Sequence, residues 1–122
     1  MIIVAMLDLD SCFISINPSV RRILGYSPSE IIGTPLSRYV PKDQLAIHKQ
    51  ILERELSGAE SRTGYYEMQA FRRDGRQPPT LEMSSKVIFG KGEKPEAIHA
   101  IARDISERKE VEVRQKLLVF HA

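Results

Sequence analysis

The chain is expected to fold as α+β: a five-stranded antiparallel sheet, short helices and one longer helix on one face of it, and a helix leaving at the C-terminus. Three observations carry this. Apolar, β-branched segments occupy both ends of the domain. Between them the hydrophobic period lengthens from two to about three and a half residues. Three helical pieces there have clear starts and stops but span only a turn or two, too short to stand alone, so they must lie on something larger.

Residues 2–9 (IIVAMLDL) read as the first strand and Phe13 to Ile16 as the second, joined at Asp10-Ser11 by a turn that lacks the usual glycine. Asn17-Pro18 reads as an N-cap followed by proline in the first helical position, and Gly25 ends that helix. Ser27-Pro28-Ser29-Glu30 is a capping box whose helix stops at Gly33. Pro35 to Val40 is a third short piece. The longer helix runs from about Lys42 to Ser57 with Gly58 as its exit, presenting Leu45, His48, Leu52 and Leu56 on one face; residues 59–63 form a polar loop.

Tyr66, Met68 and Ala70 then alternate with polar neighbours as the third strand, and Asp74-Gly75 signals a hairpin turn. Pro78-Pro79 cannot donate to a ladder, so the fourth strand begins after them and turns Leu81, Met83, Ser85 and Val87 to one side. A Gly90–Glu93 loop leads to a last strand over Ala97–Ile105. Ser106-Glu107 opens the exit helix, supported by Glu110 with Arg114 and Glu112 with Lys116.

Composition narrows the function classes. The 122 residues hold 18 Lys plus Arg against 16 Asp plus Glu, and the net charge of +2 offers no broad basic surface for nucleic acid. The apolar run Met1 to Leu7 is too short to span a membrane and lacks signal-peptide flanks. A single cysteine, Cys12, excludes an internal disulfide framework and reads as a packed or half-exposed small hydrophobe, consistent with a cytoplasmic location.

Four segments in sequence resemble the Per-Arnt-Sim (PAS) family, over about Ile2 to Lys109. FISINPSVRRILGYSPSEIIGTPL (13–36) is similar to its strand-to-helix segment, with Asn17, Gly25, Tyr26, Glu30 and Gly33 at the landmarks. RRDG (72–75) resembles its central turn and LEMS (81–84) the strand after it, with Arg76 to Thr80 one residue longer than usual. RDISERK (103–109) resembles the motif leading from the last strand into the signalling helix. The resemblance implies a sensory or dimerising input module over residues 1–106, an exit helix over 107–122, and an effector domain outside this chain: a sensor kinase, cyclase or transcription regulator.

Candidate residues follow. His48 lies seven residues after Pro41, the spacing of the axial histidine in haem-binding members, so the resemblance implies His48 as a candidate haem-iron ligand. The flavin photoreceptor pattern is not matched, because residues 35–47 contain no cysteine. Without a cofactor, a small-molecule pocket would be lined by His48, Ile51, Leu52, Tyr66, Met68, Met83, Ser85 and Ala100. Asp104, Ser106 and Arg108 are the candidates for signal relay, with Arg108 or Lys109, or a backbone N–H, as partner for the Asp104 carboxylate. Val113, Leu117 and Phe120 form a short coiled-coil-like seam that fits a homodimer.

The contrasting class is a small α+β cavity enzyme of isomerase or hydratase type, which needs titratable groups converging in the cavity. The alternation places Glu67, Glu82 and His99 on the face opposite the apolar side chains, and no nucleophile triad, phosphate loop or paired-histidine metal spacing is present. The expected reading is a non-enzymatic module.

Overall fold

The structure, a computed structural model, describes residues 1–57 and 65–121, with side chains of the last helix described through residue 118. The expected Gly58 exit and the 59–63 loop lie outside the described residues. Strands β1 (Ile2–Leu7), β2 (Phe13–Ile16), β3 (Tyr66–Gln69), β4 (Thr80–Phe89) and β5 (Pro95–Asp104) form one antiparallel sheet in the order β2-β1-β5-β4-β3. Helices α1 (Ser19–Leu24), α2 (Pro28–Ile31) and α3 (Lys42–Leu56) follow the first hairpin, and α4 (Ser106–His121) leaves after β5. A 3₁₀ turn at Leu36–Arg38 precedes α3, and another at Lys91–Glu93 joins β4 to β5.

The N-terminal hairpin and the C-terminal meander are one sheet because β1 zips along β5, from Ile2 opposite Arg103 to Leu7 opposite Ile98. Alternation then sorts the faces. Ile3, Ala5 and Leu7 on β1, Ile98, Ala100 and Ala102 on β5, and Leu81, Met83 and Ser85 on β4 are buried, and most of them pack into one core with Val20, Leu24, Ile31, Leu36 and Val40.

Several local expectations are corrected. The first turn needs no glycine because Asp8 organises it: its carboxylate accepts the Asp10 and Cys12 N–H groups at 2.9 and 3.0 Å. The chain passes through Ser11 in a left-handed conformation (φ 62°), and β1 ends at Leu7, two residues early.

Asn17 does not cap α1. Its side-chain oxygen accepts the Val4 N–H and its amide donates to the Ile2 carbonyl, both at 3.0 Å, so it secures β1, and the helix begins after Pro18. The Ser27–Glu30 capping box is present as expected, with the Ser27 N–H donating to Glu30 Oε1 at 3.2 Å.

Asp74-Gly75 is a turn, but not a tight hairpin. It sits within the longer 70–79 connection between β3 and β4. That connection docks on the helices: the Arg73 N–H donates to the Leu24 carbonyl and the Phe71 N–H to the Tyr39 carbonyl, at 2.8 and 2.7 Å. Leu56 is about half exposed, not part of the buried face. The last turn of α3 is held by its neighbour Glu55, whose carboxylate accepts the Val87 N–H, and Leu56 is directed aside.

Candidate functional site

A small cavity lies between the inner face of the sheet and the helices, with a volume of about 50 Å³. Its cause is visible in the strands. Ala5 faces Ala100 across the β1–β5 ladder, and Ala102 is the next inward position on β5. Three alanines on the adjacent interior strands β1 and β5 leave room that branched side chains would fill. Phe13, Leu36, Tyr39 and Val40 contribute to the other walls.

A chain of hydrogen bonds runs beside the cavity. Ser11 Oγ lies 3.3 Å from His48 Nε2, His48 Nδ1 lies 3.1 Å from the Tyr66 hydroxyl, and that hydroxyl lies 2.9 Å from Ser85 Oγ. His48 is 1% exposed and Ser85 3%. Four segments meet here: the first turn, α3, β3 and β4. Burial, with a smaller contribution from Lys49, holds the imidazole well below its ordinary value, at about 4. Near neutral pH the ring is therefore uncharged, one nitrogen donating and the other accepting. Burial also pushes the Tyr66 hydroxyl up.

Of the residues chosen from sequence, His48, Met68, Met83 and Ala100 line the cavity. Ile51 and Leu52 are buried but do not line it, and Tyr66 and Ser85 belong to the hydrogen-bonded chain. Ser11 gave no sequence signal, since only the folded turn brings it to His48. Ala5 and Ala102 could have been found, as small residues at inward positions of central strands.

The arrangement does not fit haem. Both His48 ring nitrogens have hydrogen-bond partners within the chain, and 50 Å³ is far below the ~300–1,000 Å³ typical of cofactor pockets.

A second cluster fixes the start of α4. The Ser106 hydroxyl accepts the Thr80 N–H at 3.0 Å, and the Ile105 N–H donates to the Thr80 carbonyl at 2.9 Å. Asp104 Oδ1 accepts the Ser106 N–H at 3.0 Å, so its partner is backbone. Arg108 is not that partner: it pairs with Glu82 at 3.1 Å, while Lys109 reaches Glu67 at 2.7 Å. Both glutamates are on the outer face of the sheet, so α4 is tied to that face at its first turn. Val113 and Leu117 are more than half exposed; the side chain of Phe120 lies outside the described residues.

A five-stranded antiparallel sheet with helices packed on its inner face and a helix leaving after β5 is a PAS-like α+β fold. The comparisons agree: the family described as PAS domain matches residues 1–107, and the chain belongs to that family. A methyl sulfide methyltransferase-associated sensor from Methanosarcina acetivorans is 31% identical over 105 residues, 86% of this chain. The chain spans about a tenth of that relative's length.

Among solved structures, a PAS domain from Colwellia psychrerythraea superposes with a TM-score of 0.73 at 22% identity, covering 87% of each chain. A sensory box histidine kinase/response regulator from Burkholderia thailandensis gives 0.72 at 15% identity, over 98% of this chain and 88% of that one. The N-terminal domain of a diguanylate cyclase with a PAS/PAC sensor from Marinobacter aquaeolei gives 0.70 at 18%, over 89% and 99%. Relatives of this chain thus sit in larger signalling proteins. Among the described residues, no helix is long and apolar enough to cross a membrane.

Proposed function

We propose that the chain is a non-enzymatic input module of a cytoplasmic signal-transduction protein, with residues 1–106 as the sensory unit and 107–122 as the helix that carries its state to a covalently linked effector. The effector is of the kinase, cyclase or transcription-regulating kind, and the module works as a homodimer. One observation carries the reading: β4 touches both ends of the relay. Its inward Leu81 and Met83 line the cavity, while its first residue Thr80 and its outward Glu82 hold Ser106 and Arg108 of α4. A guest in the cavity would press on the strand from which the exit helix hangs. Asp104, Ser106 and Arg108 are the relay residues in this reading.

A cavity enzyme is the weaker reading. The titratable side chains lining the cavity are His48 and Tyr39, and both are already engaged, Tyr39 with the Thr34 hydroxyl at 2.6 Å. That leaves neither free for acid–base work.

The test is amide hydrogen exchange on the purified chain. Met83→Ala, which alters the inner face of β4, is expected to change protection in the first turns of α4; exchange there identical to that of the unsubstituted chain overturns the relay. For the dimer, sedimentation at micromolar concentration is expected to give a two-chain mass that Leu117→Lys lowers to one. A strict monomer before substitution overturns it.

A further inference from the structure

We infer that the core cavity is a binding site for an uncharged, apolar guest of about two or three non-hydrogen atoms, a dissolved gas or a molecule of comparable size. The inference deepens the sensory reading by naming the class of molecule sensed, and it rests on that reading for the use of the site, not for the binding itself.

Size sets the first limit. A volume of about 50 Å³ exceeds the ~10–15 Å³ of cavity that one water needs but is far below the ~150 Å³ of an apolar cavity that takes benzene. Polarity sets the second. Among the described residues, no buried side-chain nitrogen or oxygen lacks a hydrogen-bond partner. His48 reaches the cavity wall with both ring nitrogens already engaged, to Ser11 and Tyr66. A charged or strongly polar guest would have to break that chain to find a partner, and a desolvated charge without one is costly. Water fails for the same reason, since a buried water needs two to four polar contacts.

What remains attractive is dispersion. The thioether residues Met68 and Met83 line the space, and their polarizable side chains favour a polarizable guest. The void also has a definite origin in sequence. Ala5, Ala100 and Ala102 occupy neighbouring inward positions on the adjacent interior strands β1 and β5, where branched residues usually fill a sheet.

The experiment is methyl NMR of the 122-residue chain under xenon pressure, followed by cyclopropane and benzene. The expected result is a saturable shift concentrated on the methyls of Ala5, Ala100, Ala102, Met68 and Met83, kept by cyclopropane and lost with benzene. Ala100→Val, which fills the floor, is expected to weaken xenon binding roughly tenfold. Should that variant fail to fold, the size series on the unsubstituted chain decides alone. Shifts that rise without saturation and spread over surface methyls overturn the site, as does benzene acting as well as xenon or a filled variant responding in full. The two readings separate cleanly. Saturable binding that leaves α4 exchange untouched sinks the sensory use and leaves the site standing. Absent binding with intact coupling from β4 to α4 does the reverse.

Discussion

His48 concentrates the chemistry of the core in one ring. Its folded-state value of about 4 lies below the ordinary 6.5, so between those values the unfolded chain binds a proton that the folded chain refuses. Stability contributed by the neutral ring is therefore complete above about pH 6.5 and is lost as the pH falls toward 4, by a total on the order of 3 kcal/mol. Urea unfolding at pH 7 and at pH 4.5 is expected to show this loss, and His48→Gln to remove much of it; equal pH dependence in both proteins would contradict the assignment. Tyr66→Phe deletes the hydroxyl between His48 and Ser85. Leaving those two buried groups short of a partner is expected to cost about 1–3 kcal/mol in the same measurement. His48 stood out in the sequence through its place on an apolar helix face. Tyr66 and Ser85 stood out beside it as inward strand positions, but Ser11 did not, and the hydrogen bonds that join all three to His48 were not legible because the residues come from three other segments and meet only through tertiary packing.

The elements were readable where local chemistry decides them and obscure where a distant contact does. Proline and serine at Ser27-Pro28 mark the start of α2 in any context. Asn17 carries the same local signal, yet its amide serves β1, since two backbone groups of that strand lie within reach and reward it more than a helix end would. Asp74-Gly75 likewise announces a turn but cannot announce that the surrounding loop docks on α1 and the Tyr39 segment. Asp74 is held at about 2 by hydrogen bonds from the Arg72 side chain and the Arg76 backbone, so these contacts within the loop hold above the ordinary carboxylate range and weaken as the pH falls through about 2.

The exit helix offers a sharper test. Ser106→Ala removes the acceptor of the Thr80 N–H and is expected to cost about 1 kcal/mol and to speed amide exchange at Thr80 and in the first turn of α4. Raising the salt concentration from 0.05 to about 1 M should speed the same exchange at that turn, because the Arg108–Glu82 and Lys109–Glu67 pairs are solvent-accessible and screened. Salt-independent exchange would mean that these pairs do not hold the helix.

In the molecule as a whole, β1 is the closing piece. It lies between β2 and β5, so the first residues of the chain complete the centre of a sheet otherwise made by the last half. Deleting residues 1–7 is expected to abolish cooperative thermal unfolding, not merely to lower its midpoint, because β5 loses its ladder partner and Ile3, Ala5 and Leu7 leave the core together. This pairing was foreseeable from the family resemblance and from the need of two hairpins for a shared core. The cavity was foreseeable only in outline, since its extent depends on how closely the short helices approach the alanine floor.

Glu67 and Glu82 stand directly opposite each other where β3 meets β4, an arrangement of like charges that strains a ladder. Lys109 and Arg108 neutralise one each. The border strand and the departing helix therefore lend each other support, and a boundary drawn at residue 106 would sever that mutual aid. A fragment trimmed there should fray first at Tyr66–Gln69, at the far margin of the sheet from where the cut was made in sequence.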